Sequence, residues 1–112
     1  MTPINKPLVS IIIPAYNNAS YTIKAIKSVL SQTYNNIELI VVNDGSTDDT
    51  YELLKKISDK RFIFYDIKNS GASIARNYGI KKANGKYLSF LDCDDTFEKN
   101  KIEKSISVLE RN

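Results

Sequence analysis

The chain has 112 residues, 42% hydrophobic and 26% charged, and a net charge of +3, which fits one globular domain and excludes a disordered or fibrous chain. With no histidine and one cysteine it excludes His-based zinc sites, Ser-His-Asp triads and an internal disulfide, so any chemistry falls to carboxylates, Lys, Arg, Tyr and a metal. No apolar run approaches the roughly 20 residues of a membrane span, and Met1 to Leu8 lacks the apolar centre of a signal peptide.

Leu8 to Ile13 is a nearly unbroken apolar, β-branched run closed by Pro14, which cannot continue a central ladder. It predicts a strand buried on both faces. Asn17-Asn18-Ala19-Ser20 supplies a turn with capping residues, and Ile23, Ile26, Val29 and Leu30 recur at helical spacing, predicting a helix over Ser20 to Gln32. Ile37 to Val42 is a second buried strand, ending in Asn43-Asp44-Gly45-Ser46. Thr47-Asp48-Asp49 then caps a helix whose inner face is Leu53, Leu54 and Ile57.

Arg61 to Tyr65 predicts a third strand at a sheet edge, since charges bound it. After Asn69-Ser70-Gly71 a third helix spans about 72–83, where Ala75, Gly79 and Ala83 form a stripe of small residues suited to close packing on a sheet. Asn84-Gly85 stops it. Lys86 to Leu91 is the fourth strand, and Ile102, Ile106 and Leu109 mark a last helix from about Glu98 that still runs at Asn112. This alternation predicts an α/β fold: a three-layer α/β/α arrangement on a mainly parallel four-stranded sheet.

The fourth strand ends in Asp92-Cys93-Asp94-Asp95. An ionised carboxylate cannot stay unpaired inside a sheet, so the chain must surface at Asp92. Asp92 and Asp94, two apart, can both turn to one hard cation, Mg²⁺ or Mn²⁺; the plain alternative is a polar loop capping the next helix. Ligands of parallel sheets bind beyond the carboxyl ends of the strands. There the first strand brings Pro14, Ala15, Tyr16 and Asn17, the second Asp44, and the fourth Asp92 and Asp94.

Taken singly, Asp44-Gly45 is a turn, Tyr16 a rim aromatic, Arg76 a surface helix residue and Cys93 a small packed side chain. Together they describe a floor, a carboxylate able to accept from a base N–H, an arginine and a metal-binding pair: a nucleotide-diphosphate site. Neither a G-x-x-x-x-G-K-[ST] nor a G-x-G-x-x-G motif is present, which disfavours P-loop and dinucleotide sites. Lys24, Lys27, Lys55, Lys56, Lys81 and Lys82 read as solvated helix faces, so nucleic acid is not an expected partner.

Val-Ser-Ile-Ile-Ile-Pro-Ala-Tyr-Asn at 9–17, Val-Asn-Asp-Gly-Ser-Thr-Asp at 42–48, Gly-Ala-Ser-Ile-Ala-Arg-Asn at 71–77 and Phe-Leu-Asp-Cys-Asp-Asp at 90–95 together resemble the family 2 glycosyltransferases of the GT-A fold. The resemblance implies sugar transfer from a nucleotide diphosphate donor, typically with inversion and a divalent cation. It implies that Ala15 and Tyr16 line the base pocket, that Asp44 hydrogen-bonds the base (usually uracil) and that Arg76 contacts the nucleotide. Asp92 would sit by the ribose and metal waters, and Asp94 would ligate the metal, Mn²⁺ or Mg²⁺. Asn77 would support its loop. The family's sheet places the fourth strand beside the first.

Asn43 departs from the pattern, standing where many members have an acidic residue. The family's Asp base and its Gln-x-x-Arg-Trp motif lie in a second half, whereas here 17 residues follow Asp95 and tryptophan is absent. The expectation is therefore the donor-binding portion of a longer enzyme. It would carry no catalytic base of its own, bind a UDP-sugar, and work in the cytoplasm, where nucleotide sugars are made. Full-length members of the family the chain resembles include soluble, membrane-associated and membrane-spanning proteins, and this segment reads alike in each.

A non-catalytic nucleotide-binding module is the alternative. A phospho-accepting receiver domain needs an acidic cluster where this chain has Pro14-Ala15-Tyr16-Asn17. If the fourth strand normally pairs with strands of the second half, its outer edge is open here, which predicts self-association.

Overall fold

The computed structural model describes residues 6–111. Eight elements alternate along it: β1 (Val9–Ala15), α1 (Ala19–Leu30), β2 (Ile37–Asp44), α2 (Thr50–Leu54), β3 (Phe62–Ile67), α3 (Ala72–Lys82), β4 (Tyr87–Phe90) and α4 (Lys101–Leu109). The strands form one parallel sheet in the order β3-β2-β1-β4. β1 and β2 occupy its centre and are buried on both faces, as their unbroken apolar runs require. β3 takes one edge, as its flanking charges predict, and β4 the other, beside β1.

Alternation along the strands builds two cores. On one face Ile11, Ile13, Leu39 and Val41 meet Ile26 and Val29 of α1, Leu54 of α2, and Ile102 and Ile106 of α4. On the other, Ile12, Ile40 and Val42 meet Ala75 of α3. The stripe of small residues does what its spacing predicts. A Cβ placed on Gly79 would lie 2.6 Å from Ile12 Cγ2, so α3 rides directly on β1.

Element boundaries move from their sequence-based positions for identifiable reasons. α1 ends at Leu30 and not at Gln32, because Arg61 Nη2 donates to the Leu30 carbonyl at 2.9 Å and closes the helix end. α2 is one turn long and stops at Leu54. Beyond it the Lys56 and Ile57 amides bond back only three residues, to Leu53 and Leu54, and this tighter turn still delivers Ile57 to the core.

α4 begins at Lys101, three residues later than expected. The Gln32 side chain holds the preceding loop, donating to the Glu98 carbonyl at 2.6 Å and accepting the Ile102 amide at 3.0 Å. The same helix ends at Leu109; Asn112, to which it was expected to run, lies outside the described residues. β3 runs to Ile67, and β4 shortens to Tyr87–Phe90. No helix of the described residues is long and apolar enough to cross a membrane.

The Arg61 anchor also carries a pH response. Its guanidinium makes a two-pronged contact with Asp59, Nε and Nη2 reaching the two carboxylate oxygens at 3.0 and 2.9 Å. Hydrogen bonds from the Arg61 side chain and amide hold the Asp59 carboxyl down at about 2. Both side chains are 24% exposed, so solvent screens the pair only in part. A carboxyl lowered on folding stabilises the fold above its unfolded value of about 3.9 and loses that contribution as pH falls towards its folded value. In acid titrations followed by circular dichroism, the wild type should lose about 2 kcal/mol more than Asp59→Asn between about pH 4 and pH 2.

Candidate functional site

The order β3-β2-β1-β4 reverses direction between β1 and β4, since the chain builds outwards from β1 to β3 and then returns to the other side of β1. A crevice opens at such a reversal, beyond the carboxyl ends of the two strands. A cavity of about 300 Å³ lies there, lined by Pro14, Ala15, Tyr16, Asp44, Ala72, Arg76, Asp92, Cys93 and Asp94. Pro14, Ala15, Tyr16, Asp44, Arg76, Asp92 and Asp94 are thus brought together from four separate stretches of chain. Asn17 does not line the cavity. Cys93 packs against the core as its sequence reading expects and also lines the cavity, as does Ala72, the first residue of α3, which the sequence did not single out.

Asp44 is the most deeply placed of these polar groups, only 3% exposed. Its carboxylate is already engaged by the entry to α3. The Ser70 amide donates to Oδ1 at 2.7 Å and the Gly71 amide to Oδ2 at 2.9 Å, while Asn69 Nδ2 donates to the Asp44 carbonyl at 2.9 Å. Oδ2 also lies 3.5 Å from Asn69 Nδ2, whereas Oδ1 accepts only the Ser70 amide and keeps a lone pair, so Asp44 can still accept one more N–H. Asn69-Ser70-Gly71 is thus more than a helix entrance: it fixes the direction in which this carboxylate points. Asn43, one residue earlier, turns to the opposite face of the sheet and donates to Asp66 Oδ1 at 2.8 Å.

The approach of these loops leaves no room for a side chain at Gly45. Its φ is +70°, and an added Cβ would lie 2.7 Å from the Asn69 backbone nitrogen. Gly45→Ala should therefore destabilise the fold by about 2 kcal/mol, read as a lower midpoint in thermal unfolding.

A second pair of loops is joined on the other side of Tyr16. Asn17 Oδ1 accepts the Thr47 amide at 2.8 Å and the Asp48 amide at 3.3 Å, and the Asn17 amide donates to Ser46 Oγ at 2.8 Å. Asp48 Oδ2 in turn accepts the Ala19 amide at the start of α1 at 3.3 Å. Burial pushes the Asp48 carboxyl up, but hydrogen bonds from the Thr50 hydroxyl and amide and from Ala19 outweigh it and hold it below the usual carboxylate range.

Asp92 and Asp94 are exposed carboxylates on one short turn, and the described residues hold no cluster of three or more His, Cys, Asp or Glu able to enclose a metal. Two carboxylates without a third protein ligand do not suit a closed structural site. They do suit Mg²⁺ or Mn²⁺, which bind through one or two carboxylates and complete their shell with water and substrate phosphate. Asp95 is placed differently. It lines a separate groove of about 920 Å³ between β4 and α4, which shares Asp92 alone with the cleft.

The chain matches the model of the Glycosyl transferase family 2 over residues 10–112. It is 52% identical over 105 residues to an uncharacterized glycosyltransferase of Rickettsia bellii, covering 93% of this chain and 15% of that protein. It is 42% identical over 97 residues to glycosyltransferase GlyA of Streptococcus pneumoniae, covering 85% of this chain and 14% of that one. Among solved structures, that of S. aureus TarS 1–349 in complex with UDP-GlcNAc superposes with a TM-score of 0.86 at 29% identity, covering 92% of this chain and 31% of that 1–349 chain. The chain therefore spans less than a third of each of these proteins. The reach of the family match, the level of identity and the shared GT-A fold agree: this chain belongs to glycosyl transferase family 2.

Proposed function

We propose that this chain is the donor-binding portion of a glycosyltransferase that moves a sugar, with inversion, from a nucleotide diphosphate sugar to an acceptor hydroxyl in polysaccharide or glycoconjugate synthesis. The observation that carries the reading is the single cleft that gathers Pro14, Ala15, Tyr16, Asp44, Arg76, Asp92 and Asp94. Pro14, Ala15 and Tyr16 form a wall for the base. Asp44, an acceptor with its orientation fixed, suits the N3–H of uracil, which makes UDP the preferred nucleotide. Arg76 supplies a cation for the diphosphate. The UDP-GlcNAc held by the similar TarS structure supports this assignment.

Asp92 and Asp94 would hold Mn²⁺ or Mg²⁺, with Asp94 as the direct ligand. When bound, the cation neutralises charge on the diphosphate leaving group. The base that deprotonates the acceptor is assigned to the part of the parent enzyme beyond this chain, and the site is assigned to the cytoplasm, where nucleotide sugars are made. Calorimetric titration with UDP, GDP and CDP, in Mn²⁺ and again in EDTA, tests the reading. Binding selective for UDP and lost in EDTA is the expected result; absence of binding to all three nucleotides rejects it.

The free edge of β4 bears on how the chain behaves in isolation. Among the described residues β4 pairs only with β1, and Leu88 and Phe90 are exposed on it. Unpaired strand edges template pairing between chains. The isolated chain should self-associate, seen as a rise in weight-average mass with concentration in sedimentation velocity, and Leu88→Lys should suppress it. A monomer at every concentration would contradict this.

A further inference from the structure

Asn17 and Asn18 are the non-glycine residues of positive φ among the described residues, both at +57°. Such a conformation is uncommon outside glycine and persists where surrounding contacts hold it. Asn17 reaches across to the loop after β2 with its amide and its side-chain oxygen together, engaging Ser46, Thr47 and Asp48. The left-handed turn is what allows both groups of one residue to face that loop. Tyr16, immediately before it, lines the cleft with 46% of its surface exposed, and among the described residues its side chain makes no hydrogen bond that would hold it there.

Tyr16 is thus fixed through its backbone, by β1 on one side and by the Asn17 clamp on the other. Building on the nucleotide-cleft reading, we propose that Asn17 is a positioning residue: it touches no part of the nucleotide and acts by holding Tyr16 at the cleft rim. Its Oδ1 is spent on two backbone amides, and the residue lies outside the cavity lining. The same clamp ties the start of α1 to the start of α2, since Asp48 accepts from both Ala19 and Thr50. Tyr16 therefore stands on a rim whose two loops move as one piece.

Three variants separate the side chain from the backbone. Asn17→Gly keeps the left-handed turn at no steric penalty but removes the acceptor. Asn17→Asp keeps an acceptor in a residue that also tolerates this conformation. Tyr16→Ala removes the group being positioned. Asn17→Gly should weaken UDP binding in Mn²⁺ by about tenfold, about what losing one to two hydrogen bonds implies. Asn17→Asp should restore most of it.

In a double-mutant cycle, Asn17→Gly on the Tyr16→Ala background should change affinity by less than about twofold, because what it positions is gone. An equal loss on both backgrounds would show that Asn17 contacts the nucleotide or acts elsewhere, and would overturn the proposal. A second readout needs no nucleotide. The Tyr16 amide order parameter should fall from about 0.85 to below about 0.6 in Asn17→Gly and recover in Asn17→Asp. An unchanged value overturns the clamp. A wild type that binds no nucleotide rejects the functional reading instead, and leaves this second readout to decide the clamp.

Discussion

Asp94→Ala should reduce metal-dependent binding of UDP by about 100-fold or more, since it removes one of the two carboxylates proposed to hold the cation. Asp94→Asn should lose nearly as much, because a neutral amide keeps the shape but not the charge that a hard divalent ion requires. Asp95→Ala is the informative contrast. Its carboxylate lies outside the cleft lining and accepts the Thr96 amide at 2.9 Å within its own loop. Its removal should change affinity by no more than about twofold, as for a surface substitution. Calorimetry of the three variants in Mn²⁺, with EDTA controls, separates carboxylates that neighbour one another in sequence. Equal losses at positions 94 and 95 would reject the assignment of the metal pair.

Gly79→Val should destabilise the fold by about 3 kcal/mol, the upper range for overpacking a filled core. Even one added carbon would sit 2.6 Å from Ile12 Cγ2 and 3.4 Å from Val42 Cγ2. Ile12 is fully buried in the central strand and has nowhere to retreat. The helix must therefore lift from the sheet. α3 also carries Arg76, and its first turn holds the Asp44 carboxylate through Gly71. Lifting it should weaken nucleotide binding as well as lower the unfolding midpoint, by about 10 °C or more. Ser73→Val, on the exposed side of the same helix, should do neither.

Most of the fold was legible in the sequence. The apolar runs Leu8 to Ile13 and Ile37 to Val42 are too uniformly β-branched for an amphipathic helix, and the stripe Ala75, Gly79 and Ala83 announced close packing. Two of the misplaced boundaries share one cause. α1 and α4 are bounded by partners distant in sequence, Arg61 on Leu30 and Gln32 on Glu98 and Ile102, and no local signal reports them.

The site divides in the same way. Strand ends supplied six cleft-lining positions, Pro14, Ala15, Tyr16, Asp44, Asp92 and Asp94, because a group at the end of a buried strand has few places to go except the crevice. Arg76 came from the third helix, and Asn17, also at a strand end, stays outside the lining. The functions of Asp44 and Asn17 as joints between loops were not visible, since their partners lie 25 to 31 residues away along the chain.

The sequence by itself determined the alternation of strands and helices, the two buried central strands, and the polar residues that close each strand. Those are consequences of local pattern: periodicity, β-branching and the cost of burying charge. Local pattern left open that β4 lies beside β1, which the family resemblance implied and the tertiary structure bears out, bringing Asp92 and Asp94 to Pro14–Tyr16. Only the tertiary structure decided that Asp44 and Asn17 are tied to neighbouring loops. Strand order and cross-loop hydrogen bonds depend on which segments meet in space, and that is set by packing two faces of one sheet at once.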